Sequence, residues 1–401
     1  MTTYDYMKEA KAIEEDLIAI RRHLHQMPET GFDLPNTVAY VKEQLKAIGI
    51  EAHDIGDHGV TAVIGKKGGK TLLLRADMDG LPIEEKSGEA FASTNGNMHA
   101  CGHDIHMTCL LGAARMLKEN EDQLEGQIKF IFQPAEELLV GGGEMVKAGI
   151  LENPTVDAAM GLHVWSIGGQ GISTIPGTFM SSAGNFEIKI KGVGAHGALP
   201  QNGVDPVYIG SQIVIGAPEI LARELAYDKS AAITMGYFSA EGAVNVIPNE
   251  ATLRGTVRTF SNDSRLYIRK RLPELVSQIA KAYRGEATLE FLSDCPVLEN
   301  DEDMTHQSIG YLNEIIDTDQ YPIEIGKEAV TKIGAPYGSE DFAYYANEVP
   351  SFFFLLRAAD KQKDNPAMLH NETTTFNEDM IKIGAASMAH CATRWLQDQA
   401  K

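Results

Sequence analysis

Ten consecutive residues, Asn97-Met98-His99-Ala100-Cys101-Gly102-His103-Asp104-Ile105-His106, hold one thiol, three imidazoles and a carboxylate. Gly102 alone separates Cys101 from His103. Glycine accepts backbone angles that other residues avoid, so a tight turn there could aim both side chains at one point. Thiolate sulfur and imidazole nitrogen are ligands that a borderline-soft divalent metal takes. Taken alone, the stretch is equally a polar loop with a free cysteine and surface histidines. Glu136 and Glu137 are adjacent and follow Pro134. Adjacent side chains diverge, so one could bind a metal while the other faces water, which is the ligand-plus-base pair a metallohydrolase needs. As an isolated pair they read as solvated acids opening a helix, where carboxylates suit the dipole. His163, inside Gly161-Leu162-His163-Val164-Trp165, reads by itself as a core histidine. His370, in Met368-Leu369-His370-Asn371-Glu372, is the late-chain candidate ligand. His196 sits among glycines in Gly192-Val193-Gly194-Ala195-His196-Gly197, and Gly338-Ser339-Glu340-Asp341-Phe342 is a further acidic loop.

The elements that must position these groups follow from hydrophobic period. Ala10, Ile13, Leu17, Ile20 and Leu24 predict a helix over 5–26, closed by Pro28, and a second covers 35–48. Strands are expected at 60–65 and 71–78, and the segment after His106 reads as a buried helix. Three apolar runs then end in acidic or metal-grade side chains: 71–76 in Asp77 and Asp79, 127–132 in Glu136 and Glu137, and 158–162 in His163. Alternating strands and helices predict an open, mixed α/β sheet with helices on both faces, and such sheets bind ligands beyond the carboxyl ends of their strands. Residues 179–184 read as a linker. Beyond it come strand 185–191, helix 204–224, strands 231–239 and 250–259, helix 262–282 and strand 286–292, the β-α-β-β-α-β order of a ferredoxin-like α+β unit. The expected domains are 1–183 and 294–401, together forming the catalytic domain, with 184–293 inserted. Pro273 is expected to bend or split its helix. After 296 the α/β pattern resumes with helix 302–317, strand 351–356 and helix 377–398, and the loop 357–369, with Lys361, Lys363, Asp364 and Pro366, reads as mobile and solvated.

The chain has 401 residues, enough for about two or three folding units. Its formal net charge of −21 repels phosphate backbones and anionic membrane surfaces, which argues against a nucleic-acid or membrane partner. Cys101, Cys109, Cys295 and Cys391 form no C-x-x-C pair and no disulfide framework, so a reducing compartment fits. The charged opening MTTYDYMKEAKAIEED lacks the apolar core of a secretory signal, and no apolar run reaches the roughly 20 residues of a membrane helix. A cytoplasmic location is the expectation.

Six segments in order resemble the M20 metallopeptidase family: Arg75-Ala76-Asp77-Met78-Asp79-Gly80-Leu81-Pro82, His99-Ala100-Cys101-Gly102-His103-Asp104, Gln133-Pro134-Ala135-Glu136-Glu137, Gly161-Leu162-His163, Gly194-Ala195-His196 and Gly338-Ser339-Glu340-Asp341-Phe342. More narrowly they resemble its amidohydrolase branch of hippurate hydrolases, N-acyl-amino-acid hydrolases and plant auxin-conjugate hydrolases. Arg21-Arg22-His23-Leu24-His25 through Pro28-Glu29 matches the opening of that branch. The resemblance implies two divalent ions per subunit, Mn, Zn, Co or Ni, with Cys101, His103, Glu137, His163 and His370 as ligands and the thiolate bridging. It implies Glu136 as general base and Asp77 and Asp79 as supports behind the ligands. The inserted domain becomes a lid and dimerisation unit whose His196 serves a neighbouring subunit, with Asn245 near the substrate. The implied reaction cleaves an N-acyl amino acid to a carboxylic acid and a free amino acid, and the implied assembly is a homodimer or higher homo-oligomer. One departure stands out: relatives that cut glutamate-terminated amides hold the carboxylate with an arginine where this chain has Ser293-Asp294-Cys295-Pro296, which leaves Arg258 on the preceding strand as a candidate substitute or, equally, as a salt-bridge residue of the lid. The alternatives are an N-acetyl-diaminopimelate deacetylase or a dipeptidase on the same centre, thiol catalysis by Cys101 with His103 or His106 as base, and an inactive metal-holding protein.

Overall fold

Strands without polar alternation are covered on both faces, and the long apolar runs of this chain behave so. In the computed structural model, which describes residues 5–363 and 366–401, the elements before the insertion are helices α1 (Tyr6–Ala12), α2 (Glu14–His25) and α3 (Pro35–Ala47), strands β1 (Ala52–Ile55), β2 (Gly59–Gly65) and β3 (Lys70–Asp77), helix α4 (His103–Glu119), strand β4 (Gly126–Gln133), helix α5 (Gly141–Lys147), and strands β5 (Ala158–Trp165), β6 (Gln170–Thr174) and β7 (Gly177–Met180). The insertion carries β8 (Ser182–Lys191), β9 (Ala195–His196), α6 (Pro206–Gly216), β10 (Ala231–Ser239), β11 (Val246–Ile247), β12 (Glu250–Thr259), α7 (Asn262–Ala282) and β13 (Glu286–Cys295). The chain then continues through β14 (Leu298–Asn300), α8 (Glu302–Ile315), β15 (Ile323–Ile325), α9 (Lys327–Lys332), α10 (Ala343–Ala346), β16 (Ser351–Ala358) and α11 (Met380–Gln399). Asp364 of the expected solvated loop lies outside the described residues.

The chain divides into two compact units, Met180–Val297 and the segments that flank it. The flanking unit holds an eight-stranded mixed sheet in the order β1-β2-β4-β3-β5-β16-β6-β15. β4, β3, β5 and β16 run parallel, so their carboxyl ends share one edge. β5 and β16 are buried at every position, and helices α4 and α11 pack against each other and against β3. Gly384 of α11 allows this closeness, because a Cβ there would lie 2.6 Å from Cys109 Sγ and 2.8 Å from Leu356 Cδ2. The inserted unit has the sheet order β10-β12-β8-β13, all neighbours antiparallel, over its own core of Phe186, Ile188, Leu253, Ile268, Leu272 and Val276. No helix among the described residues is long and apolar enough to cross a membrane.

Several expected elements take a different local form. The helix expected over 5–26 is two helices meeting at Ile13 (φ −107°, ψ 11°). The break forfeits little, because Ile13 N still reaches Glu9 O at 3.3 Å and Leu17 N reaches Ile13 O at 3.0 Å. Pro273 does not split α7, which runs unbroken from Asn262 to Ala282 with Ile268, Leu272 and Val276 anchored in the core. The helix expected over 204–224 starts at Pro206 under the cap of Asp205 and ends at Gly216, and a separate wider turn covers Ile220–Glu224. The short strands β1, β6, β7, β9, β11, β14 and β15 add to the expected set.

Helix α2 grips the first turn of α4 through a buried ion pair. Arg21 Nε donates to Asp104 Oδ2 at 2.8 Å, His25 Nδ1 contacts the same oxygen at 2.8 Å, and His25 Nε2 reaches Glu85 Oε1 at 3.0 Å. Burial pushes the Asp104 carboxyl up, yet Arg21 and then His25 outweigh it and hold the group well below the usual carboxylate range. A carboxylate so depressed stabilises the fold fully above its unfolded pKa, about 3.9, and loses that contribution as the pH falls through the lower folded value. Arg21→Met strands a buried anion and is expected to cost about 3–5 kcal/mol near neutrality. The gap from wild type should narrow in acid, as denaturant unfolding at neutral and acidic pH will measure, and a gap independent of pH would contradict the assignment.

Candidate metal centre

The carboxyl ends of β3, β4 and β5 bring Asp77, Gln133 and His163 to one edge, with Asp77 level with Gln133 across the parallel ladder. Beyond β4 the chain turns sharply at Ala135, whose φ of +57° lies in the left-handed region, and this swings Glu136 and Glu137 over the strand ends. Asp79 holds both glutamates by their backbone: Glu136 N donates to Oδ1 at 3.0 Å and Glu137 N to Oδ2 at 3.2 Å. Gly102, at φ +87°, caps α4 and turns Cys101 and His103 toward the same place. His370, at φ +62°, arrives from the last loop and is fixed by its own N–H to Ala100 O at 3.1 Å.

Cys101 Sγ lies 3.3 Å from His163 Nε2 and 3.3 Å from His370 Nε2, and His370 Nε2 lies 3.3 Å from Glu137 Oε2. His103 Nε2 stands 3.9 Å from both Glu136 Oε2 and Glu137 Oε1. The sets Cys101/His103/His163, Cys101/Glu137/His370 and His103/Glu136/Glu137 each place their ligand atoms within 4.8 Å of one another. Nε2 of His103 and Oε1 of Glu137 are buried without a hydrogen-bond partner, which suits atoms that donate lone pairs to a cation. His163 Nδ1 contacts Val164 O at 2.6 Å. A carbonyl only accepts, so the proton is on Nδ1 and the Nε2 lone pair is free to coordinate.

The electrostatics point the same way. Burial disfavours charge on His103, but Asp77, Asp79 and Glu137 outweigh it and push the imidazole up to about 10. A field that negative attracts a proton or a metal ion. Burial, followed by Glu340, Asp341, Glu137 and Asp77, pushes Glu136 well above its ordinary value, as suits a group that must both take and give a proton. Burial, followed by Glu137 and Glu136, raises the Cys101 thiol, the opposite of what an activated nucleophile needs. Divalent ions fit this sulfur, nitrogen and oxygen donor set.

Behind the ligands lies a network that strand patterning did not reveal. Arg75, fully buried in β3, donates to Asp77 Oδ2 and Asp341 Oδ1 at 2.7 Å and to Gln133 Oε1 at 3.0 Å, and lies 2.9 Å from Glu340 Oε1. Asp341 also accepts from Gly142 N and Gln133 Nε2, each at 2.7 Å. Burial raises Asp77, but Arg75, His103 and His106 bring it well below its usual value. The one available signal was a lone arginine inside the apolar run Thr71–Ala76.

Three expected site residues belong to the inserted unit. His196 is exposed on β9 and pairs in register with Val246 of β11. Ala198 N donates to His196 Nδ1 at 3.0 Å, so the ring proton is on Nε2, which is left as a donor. Asn245 adjoins it, accepting from Gly197 N at 2.7 Å through its carbonyl. Arg258 lies on β12 between Ala183 and Ala232, and burial lowers its pKa.

Gly102 offers a direct check on the turn. A Cβ there would sit 2.2 Å from Val164 Cγ1 and 3.0 Å from Phe376 Cζ. Gly102→Ala is expected to cost about 1–2 kcal/mol for the left-handed backbone and about 1–3 kcal/mol for overpacking, with a matching loss of bound metal. Calorimetry and metal content per chain measure both, and a variant as stable and as metal-loaded as wild type would contradict this geometry.

Residues 73–394 match Peptidase family M20/M25/M40. The chain is 38% identical over 368 residues to N-acetyl-L-cysteine deacetylase of Bacillus subtilis (strain 168), covering 90% of this chain and 85% of that one. It is 34% identical over 387 residues to IAA-amino acid hydrolase ILR1-like 4 of Arabidopsis thaliana, covering 95% and 86%. The solved structure of the Bacillus subtilis YXEP protein, a dinuclear metal binding peptidase from the M20 family, superposes with a TM-score of 0.76 at 29% identity, covering 96% of this chain and 99% of that one. The enzymes it is similar to are hydrolases of amide bonds, and the convergent donor set is the kind that binds metal. This chain therefore belongs to the M20 metallopeptidase family, in its metal-dependent amidohydrolase branch.

Proposed function

We propose that this chain hydrolyses N-acyl amino acids, releasing a carboxylic acid and a free amino acid. The observation that carries the reading is the convergence of Cys101, His103, Glu137, His163 and His370 beside the carboxylate of Glu136. These five side chains would hold two divalent ions, Mn, Zn, Co or Ni. Such ions, when bound, supply Lewis acidity and lower the pKa of a water molecule. Glu136 takes the proton of the attacking water and passes it to the leaving amide nitrogen. Asp79 keeps Glu136 and Glu137 in place by their backbone N–H groups, and Asp77 holds its charge toward His103. The relatives named for an N-acetyl amino acid and for IAA-amino acids support acyl groups from acetyl to aryl size.

The segment 184–293 is proposed as a lid and dimerisation domain in a homodimer or higher homo-oligomer. Its His196, with Nε2–H free to donate, stabilises the charge growing on the carbonyl oxygen of a substrate bound to a neighbouring subunit, an effect worth about 3–4 kcal/mol in comparable sites. Asn245 and Arg258 bind the substrate, with Arg258 taking its carboxylate. A second reading, a dipeptidase, is supported by the likeness to a family M20 peptidase.

Glu136→Gln with unchanged metal content is expected to lose about 10²–10⁴-fold in kcat on an N-acyl amino acid, and near-normal turnover would refute the base assignment. Acetyl, benzoyl and aminoacyl derivatives of one leaving amino acid separate the two readings, because a dipeptidase prefers the aminoacyl compound. Mixing inactive Glu136→Gln and His196→Ala subunits after exchange should restore activity, since one hybrid site is then complete. Persistent inactivity despite verified exchange rules out donation between subunits.

A further inference from the structure

We propose that His106 is a positioning residue, holding the Asp77 carboxylate at its distance from His103 and locking the end of β5 to it. Nothing in the proposed reaction employs His106, yet it is buried in the first turn of α4, one helical turn after His103. Its Nε2 lies 2.7 Å from Val164 N and its Nδ1 lies 2.6 Å from Asp77 Oδ1. A backbone N–H only donates, so Nε2 is the acceptor and the single ring proton is on Nδ1, donated to Asp77.

The bond matters because of what Asp77 touches. Its Oδ2 accepts from Arg75 Nη1 at 2.7 Å and stands 3.7 Å from His103 Nε2. Arg75 and His106 thus grip the carboxylate from both sides, so it cannot rotate away from His103. The same ring fixes a second proposed ligand from behind. Val164 gives its N–H to His106 and takes the Nδ1 proton of His163 on its carbonyl, so both polar atoms of one peptide residue are committed to histidines. Asp77 stands beside Nε2 of His103 and the Val164 carbonyl stands behind His163, and loss of outer-shell partners of this kind typically weakens metal binding about 10–100-fold.

The proposal rests on reading Cys101, His103, Glu137, His163 and His370 as metal ligands. The test separates the two bonds of His106. The side-chain amide of Asn can stand in for Nδ1 and that of Gln for Nε2. Competition with a chromogenic chelator gives the dissociation constant for Zn²⁺, and thermal melting of the metal-free proteins reports general stability. His106→Asn, which keeps the donation to Asp77, is expected to bind Zn²⁺ within a few-fold of wild type. His106→Gln and His106→Ala should bind about tenfold or more weakly. Equal weakening of all three, affinity retained only by His106→Gln, or lower melting with unchanged affinity each overturns the proposal. Independently of any variant folding, ¹⁵N spectra of wild type should place the His106 proton on Nδ1, and a proton on Nε2 overturns it as well. Wild-type protein that binds no Zn²⁺ sinks the metal-centre reading itself, a result distinct from all of these.

Discussion

Uncompensated negative charge in a dry interior is the constraint on which the rest depends. Asp77, Glu340 and Asp341 surround the Arg75 guanidinium, Asp79, Glu136 and Glu137 lie at the same centre, and all but Glu137 are buried. Removing each carboxylate from water costs several kcal/mol unless a cation or a set of hydrogen bonds replaces the lost hydration. Burial leaves Glu340 near 7 and Asp341 near 6 even with Arg75 against them. The same crowding pushes His103 up to about 10. Metal ions held there would relieve this repulsion, so their binding would also stabilise the fold.

The backbone is bent to serve that centre. Three loops reach it, and each passes through the left-handed region where it delivers its side chain: Gly102 at φ +87°, Ala135 at φ +57° and His370 at φ +62°. Two of the three are not glycine, and the strain they carry is of order 1–3 kcal/mol each. Backbone hydrogen bonds hold them, such as Gly141 N to Ala135 O at 3.2 Å and His370 N to Ala100 O at 3.1 Å. Strained turns on a rigid parallel sheet aim side chains more sharply than relaxed loops would.

The inserted unit is built on the opposite principle. Its core is an ordinary apolar layer between two helices and an antiparallel sheet, and His196 lies outside that core, on the small ribbon of β9 and β11. His196 there is exposed and accepts from Ala198 N through Nδ1, while Asn249 Oδ1 accepts from the nearby Gly194 N at 2.8 Å.

Periodicity and residue type alone determined the mixed α/β sheet, the β-α-β-β-α-β order of the insertion, and the three apolar strands that lead to Asp77, Glu136 and His163, because hydrophobic period is a local property of the chain. The Cys101-Gly102-His103 spacing likewise announced a turn able to present two ligands. The break at Ile13 and the unbroken helix through Pro273 were decided by packing, since buried neighbours override the local preference of one residue. The joining of Arg75 to Asp341, 266 positions away, and the single tautomer of His106 were decided only by the tertiary structure. Hydrogen-bond partners and proton positions depend on distances between remote segments and on the low dielectric that folding creates, and neither exists along an unfolded chain.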